Sequence, residues 1–397
     1  MENLSKRLAS LSPSATIAMN QKSREMKDKG VDVVNLSVGE PDFNTPDHIK
    51  KAAKQAIDDN FSFYAPVPGY PDLRKAIVNK FKRENNLEYS PDQIVVSTGA
   101  KHSIANVMIS IIDPGDEVIV PSPYWVSYVE QVKIAEGTNV VIDAIIENDF
   151  KITAQQLKAA ISPKTKALLL CSPSNPTGSV YSYEELEALV EVLKEHPEIF
   201  IISDEIYEHI NFVGKHTSIA EFPGMQERTI VVNGVSKGYA MTGWRIGYIG
   251  APLWIAKACN KLQGQMTSGA TSIAQRAAIE ALEGDQSCVE DMRKAFLRRR
   301  DLVVDRLNNM EGVKCIVPEG AFYVFPDMSA FYGKSVGDTK INTSMDLCLY
   351  LLEKGHIATV PGEAFGAPNN IRISYANSDE NLMKAMDRLE NALGELK

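Results

Sequence analysis

The stretch Thr229 to Gly250, TIVVNGVSKGYAMTGWRIGYIG, decides the fold. It opens on the apolar run Ile230-Val231-Val232, which reads as a strand buried on both faces. The chain then turns at Gly234, presents Lys237, and leaves through Gly243, Arg245 and Gly247. A second strand is predicted over 245–250. Too few residues separate the two strands for a parallel crossover, which needs a dozen or more and usually a helix. The second strand is therefore expected antiparallel to its neighbour in an otherwise parallel sheet. A lysine at the carboxyl end of a buried strand sits where open α/β sheets take up ligands. Burial lowers an ammonium pKa and can free a nucleophilic amine able to form a Schiff base. Taken alone, Lys237 reads first as an exposed loop lysine, the commoner fate of that residue type.

Working outward, strands are predicted at 93–97, 117–120, 138–143, 166–170 and 199–203, with helices at 72–84, 102–112 and 183–195 between them. Ser182 and Glu185 form a capping box for the last of these helices. The strand ends carry the chemistry. Thr98-Gly99-Ala100-Lys101 leads from a strand through a glycine turn into a helix, so free amides and the helix dipole would favour an anion such as phosphate. The turn matches neither the Walker spacing nor GxGxxG. Trp125 follows the strand at 117–120 and reads equally as a ring that stacks on a flat ligand or as a core tryptophan. Asn175 lies in the stiff turn Ser172-Pro173-Ser174-Asn175-Pro176, which can aim an amide but is also a common plain turn. Asp204 ends an apolar strand, where a carboxylate is either paired or functional. Tyr207 stands three residues further on. Tyr64 to Pro71 carries three prolines, which fix it as an ordered loop, a functional segment or a plain connector.

The flanks read differently. A helix is predicted at 14–29 and a short strand at 31–36, followed by the rigid loop Gly39-Glu40-Pro41-Asp42-Phe43. Residues 252–310 read as mostly helical, with Arg298-Arg299-Arg300 as a solvated helix face. Strands follow at 313–317, 321–326, 357–360 and 371–375, with helices at 344–354 and 379–395. Arg372 points opposite the apolar face of its strand, and Ser378 caps the last helix. This tail is a smaller α+β unit, and the strand near 33–37 is expected to pair with it. The expected division is 1–47 and 291–397 for a small domain and 48–290 for a large one.

With 397 residues and ordinary globular composition, the chain exceeds one typical core. Its 42 basic and 51 acidic residues give a formal charge of −9 and no basic run stands out, which argues against nucleic acid. The five cysteines are scattered without a CxxC pair, against a disulfide framework or structural zinc, so no metal is expected. The first residues have no apolar core of signal-peptide length, and no run approaches a membrane span. A cytoplasmic location is expected.

Gathered in one crevice at the strand ends, these residues match the needs of pyridoxal 5′-phosphate: a lysine for the aldehyde, a carboxylate for the pyridine nitrogen, a phenol and an amide for the ring oxygen, and an arginine with helix amides for the phosphate. The motifs SKGYAMTGWRIGY, SPSNPTG, SDEIYEH, PSPYWVSY, GEPDF and IRISYA, in that family's order along the whole chain, resemble the fold-type I pyridoxal-phosphate aminotransferases of class I, specifically the bacterial aspartate aminotransferase group. The resemblance implies a mostly parallel seven-stranded sheet with one antiparallel strand, flanked by helices, plus a smaller α+β domain. It implies that Lys237 binds the aldehyde and later shuttles a proton. Asp204 would pair with the ring nitrogen, Tyr207 and Asn175 would contact the ring oxygen, and Trp125 would stack on the ring. Gly99, Ala100, Lys101, Ser236 and Arg245 would lie about the phosphate, and Tyr64 would reach the phosphate in a partner subunit of a homodimer. Arg372 would grip the substrate α-carboxylate, Gly39 would line the substrate side, and Lys101 would favour a distal carboxylate, hence aspartate with 2-oxoglutarate. Two departures stand out. Gly234 replaces a serine found in many members, and Ser12 stands where prephenate-active relatives tend to carry a basic residue. Competing readings are another amino-donor specificity on the same scaffold, a non-catalytic aminotransferase-like binding domain, and a Rossmann enzyme, the last opposed by the missing GxGxxG.

Overall fold

The computed structural model describes residues 4–397. Its centre is a seven-stranded sheet built from β1 (Ile94–Ser97), β2 (Glu117–Ser122), β3 (Thr138–Asp143), β4 (Thr165–Cys171), β5 (Phe200–Asp204), β6 (Thr229–Gly234) and β7 (Gly247–Gly250). The spatial order is β1-β7-β6-β5-β4-β2-β3. The strands β2 to β6 run parallel to their neighbours. The expected exception holds: β7 is antiparallel to both β1 and β6. Residues 235–246 turn back at the sheet's edge with only one short 3-10 turn, Thr242–Trp244. A chain that reverses this way has to return along the sheet in the opposite sense, and that places Lys237 and Arg245 at the same end as the carboxyl termini of β1, β4 and β5.

The central strands are apolar on both faces because both faces are covered. Along β6, Val231 packs with helices Asp47–Asp58, Pro71–Asn85 and Ser272–Glu283. Its neighbours Ile230 and Val232 pack on the opposite layer, made by helices Ala100–Ile111, Ser127–Ile134 and Leu253–Met266. This alternation is the period-2 geometry of a strand between two layers. The helix Ser127–Ile134 was not legible in advance, because SYVEQVKI mixes β-branched and aromatic residues without a clear helical stripe.

A second body has its own core. Helices Ala15–Asp28, Ser287–Asn308, Ser344–Glu353 and Asp379–Gly394 contribute Met19, Phe296, Leu347 and Leu389 to one apolar cluster. Within it, Val34–Asn35 pairs parallel with Ile357–Ala358. Val360–Pro361, Ile371–Ser374 and Tyr323–Val324 form an antiparallel trio. Ser378 caps the last helix, as its sequence predicts. Residues 313–317 form no strand. The Cys315 N–H instead donates to Asn308 Oδ1 at 3.0 Å, and Asn308 Nδ2 returns a bond to the Cys315 carbonyl, so the backbone is spent on the end of the preceding helix. The arginine run also differs from expectation. Arg299 is buried, forms a two-pronged bond to Asp42 at 2.7 and 2.9 Å, and reaches Asp379 at 3.2 Å. It therefore clamps the Gly39–Phe43 loop to the start of the last helix.

Candidate active site

The strand ends and the 235–246 turn enclose a cavity of about 310 Å³. Eleven of the thirteen residues singled out from sequence line it: Gly39, Ala100, Lys101, Trp125, Asn175, Asp204, Tyr207, Ser236, Lys237, Arg245 and Arg372. Gly99 lies one layer behind, as the N-cap of helix Ala100–Ile111, with φ +84°. The Arg245 guanidinium packs against it so closely that a Cβ there would collide. Tyr64 is apart from this group, 96% exposed on its loop.

Lys237 reaches the Gly39 carbonyl, its Nζ donating at 2.6 Å. Burial brings its pKa down to about 8, aided by Arg372 and Arg245 and opposed by Glu40 and Asp204. Asp204 is buried at the end of β5, and burial raises its pKa to about 6 against the hydrogen bonds it accepts. Those bonds come from Tyr128 Oη to Oδ2 at 2.6 Å and from the Ile206 N–H to Oδ1 at 3.3 Å. Tyr207 shares a 2.8 Å hydrogen bond with Tyr323, and burial pushes its phenol well above the usual range.

Arg372 is the most unusual charge in the cavity. It is 1% exposed, donates to Asn175 Oδ1 at 2.9 Å and the Ser37 carbonyl at 2.6 Å, and lies 4.6 Å from the Tyr323 ring centroid. Its Nε has no hydrogen-bond partner among the described residues. None of its hydrogen bonds among the described residues is to a carboxylate. A buried guanidinium stays charged, so the cavity holds a cation whose natural complement is a ligand carboxylate. Lys101 adds a second cation, its Nζ 4.8 Å from the Trp125 ring centroid. Burial and then Arg245 lower its pKa.

At the other end, Arg245, the start of helix Ala100–Ile111 and Ser236 lie together, a set of groups able to hold an anion. Gly234 contributes no hydroxyl here, and the packing explains why. A Cβ at 234 would lie 2.8 Å from the Ile246 carbonyl oxygen and 2.9 Å from Gly247 Cα, at the start of the strand paired directly with it.

Several lining residues escaped the sequence reading: Ser14, Thr16, Tyr128, Cys171, Thr242 and Tyr323. Tyr128 stands inside the quoted PSPYWVSY motif, but its partner Asp204 is 76 positions away. Tyr323 lay in a predicted strand with nothing to mark its hydroxyl.

The comparisons agree with this geometry. The family described as "Aminotransferase class I and II" matches residues 31–389. The chain is 49% identical to a probable aspartate/prephenate aminotransferase of Rhizobium leguminosarum bv. phaseoli, covering 100% of each. It is 47% identical to an aspartate aminotransferase of Geobacillus stearothermophilus, covering 97% of this chain and 98% of that one. The crystal structure of the Rhizobium meliloti aspartate aminotransferase superposes with a TM-score of 0.96 at 45% identity, covering 100% of both chains. The chain belongs to the class I and II aminotransferases, as an enzyme of the fold-type I, pyridoxal-phosphate-dependent aspartate aminotransferase group.

Proposed function

We propose that the chain is an aspartate transaminase, moving the amino group of L-aspartate to 2-oxoglutarate and forming oxaloacetate and L-glutamate by a ping-pong cycle. The observation that carries this is Arg372, a buried guanidinium without a carboxylate partner among the described residues, sharing one cavity with a desolvated lysine. The cavity suits pyridoxal 5′-phosphate. The orphaned Arg372 Nε, the glycine cradle against Arg245 and the buried Asp204 carboxylate would each answer a group of that cofactor or its substrate.

In this reading Arg245, Ser236, Gly99 and Ala100 would hold the phosphate, with Lys101 nearby. Asp204 would keep a proton on the ring nitrogen, Tyr207 and Asn175 would hold the ring oxygen, and Trp125 would cover the ring. The cofactor, when bound, supplies an aldehyde for the amino group and a ring that draws electrons from the substrate α-carbon. The chain supplies the rest. Arg372 grips the α-carboxylate as a fork, Lys101 attracts the distal carboxylate, and Gly39 closes the substrate side. The Lys237 amine, with a pKa lowered to about 8, would take the proton from the α-carbon and deliver it to the cofactor carbon rather than back to the substrate. The exposed Phe63 and Tyr64 support a homodimer in which Tyr64 serves the neighbouring site. We place the enzyme in the cytoplasm; no helix of the described residues is long and apolar enough to cross a membrane. The small domain is assigned to 1–47 and 291–397; the second boundary falls within helix Ser287–Asn308.

The test is the visible absorption of protein reconstituted with pyridoxal phosphate, before and after L-aspartate is added alone. Loss of the yellow band and its return with 2-oxoglutarate is the expected result. A band that aspartate leaves unchanged would overturn the substrate assignment. Kinetics with aspartate, aromatic donors and prephenate side by side would show whether a broader specificity applies.

A further inference from the structure

On the side of the sheet facing helix Pro71–Asn85 lies a second concentration of charge, which the proposed reaction does not use. Lys80 is 0% exposed on that helix, and Glu208 is 7% exposed just beyond β5. The Lys80 ammonium pairs with Glu208 Oε1 and donates to Asn85 Oδ1 at 2.6 Å. Glu208 also accepts from Asn85 Nδ2 and from Asn233 Nδ2, each at 2.8 Å. Asn233 in turn accepts from the Gly234 N–H at 2.7 Å. Glu84, Glu205, His209 and His216 stand around Glu208, with Lys80 Nζ 3.6 Å from Glu84 and His216 Nε2 3.0 Å from Glu205. Burial alone would raise the Glu208 pKa, but Lys80 and the two histidines hold it well below the ordinary carboxylate range.

The position of this carboxylate matters. Glu208 directly follows Tyr207 and stands four residues after Asp204, while Asn233 stands four before Lys237. The Asn233–Glu208 bond is thus a strut between the turn carrying the ring-binding groups and the turn carrying the lysine. Neither residue lines the cavity. A Cβ on Gly238, next to Lys237, would lie 2.6 Å from His209 Nδ1, next to Glu208, so the two turns are already in contact and have little room to re-space. We infer that Asn233 and Glu208 are positioning residues, whose hydrogen bond sets the placement of Lys237 relative to Asp204 and Tyr207.

The inference rests on the transaminase reading for its catalytic consequence, so the test includes a measurement that needs neither cofactor nor turnover. Asn233→Ala removes the strut but keeps the Lys80–Glu208–Asn85 pairing; Asn233→Ser does the same with less loss of polarity and is the second choice should the first fold poorly. Glu208→Gln retains an acceptor for Asn233 but removes the charge. In the cofactor-free full chain, the pH dependence of Lys237 labelling by an amine-reactive reagent, followed by peptide mass spectrometry, reports the lysine's surroundings. Either Asn233 variant is expected to move the labelling midpoint by about 0.5 pH units or more, because burial of the amine first, and then its placement relative to neighbouring charges, sets it. In the reconstituted enzyme kcat is expected to fall about 10-fold with KM for L-aspartate within about 2-fold, the pattern of an interaction made in the transition state. Glu208→Gln is expected to lose more melting temperature and less kcat than the Asn233 variants. An unmoved labelling midpoint in a folded Asn233 variant overturns the inference. If the parent protein transaminates nothing, the functional reading falls, and the labelling midpoint still decides whether the strut positions Lys237.

Discussion

Two buried clusters of charge lie close together in this molecule and are built on opposite principles. In the Lys80–Glu208 cluster each charge faces a complement: the ammonium meets a carboxylate and an amide oxygen, and the carboxylate meets two amide donors besides. In the cavity the charges are left short. Among the described residues Arg372 has carbonyl acceptors but no carboxylate, Lys237 donates to a backbone carbonyl, and Asp204 is answered by a phenol and a single N–H. A saturated buried network rigidifies, whereas an unsaturated one costs stability unless something arrives to complete it. The contrast is sharpest between two carboxylates in one turn. Asp204 is raised to about 6, and Glu208 is held below the ordinary range. Incompleteness thus marks where a ligand belongs, and completeness marks what holds the site in shape.

Substitutions in the two clusters should then separate function from stability. Lys237→Ala is expected to cut turnover about 10⁴-fold or more without lowering the melting temperature, since it removes the desolvated amine proposed as acid and base; near-normal activity would sink the assignment of Lys237. Lys80→Met is the mirror image. It strands the Glu208 charge and should cost about 3–5 kcal/mol of unfolding free energy, read by denaturant titration, and a loss no larger than that of a surface lysine would show the pairing to be slack. Arg372→Ala is expected to lower kcat/KM for aspartate by about 2–5 kcal/mol, or about 30- to 5,000-fold. An unchanged KM would remove Arg372 from the substrate. The smallest free-energy effect concerns Asp204→Asn in cofactor-free protein at pH 7. A shift from 3.8 to about 6 corresponds to a burial cost of about 3 kcal/mol, so the variant should melt higher than the parent while losing activity. The raised pKa contributes a cost that grows as pH rises from 3.8 to about 6 and is absent below 3.8. The advantage of the variant should therefore vanish near pH 3.5, and an advantage independent of pH would mean that the asparagine stabilises by other contacts.

The incomplete cluster was the more legible of the two in the sequence. Its members sit one after another at strand ends, where an apolar run stops at Asp204 or a glycine turn presents Lys237, and local pattern reveals such positions. The antiparallel course of β7 was legible for a related reason, since it follows from a connection too short to cross over. The completing partners were not legible. Tyr128 is an ordinary helix residue until Asp204 is folded against it, and Lys80 sits in a helix whose neighbouring positions are rich in lysine and arginine that remain in water. Arg299 shows the same limit from the other side. In the run 298–300 it is indistinguishable from its exposed neighbour Arg298, and only the tertiary approach of Asp42 makes it a buried clamp. Pairing across long sequence separation leaves no local trace.

The facing glycines at 234 and 247 constrain what this sequence can become. Their closeness means that a serine at 234 meets the opposite strand's backbone before it can offer a hydroxyl to the cavity. Widening that gap requires a shift of β7, and β7 is also paired with β1, whose end leads into Gly99 and Ala100. A backbone adjustment made to admit a serine would thus propagate to Gly99 and Ala100, against which Gly247 is already packed. In this chain the glycine at 234 is therefore held by its neighbours, and a single substitution there cannot be made without moving two strands.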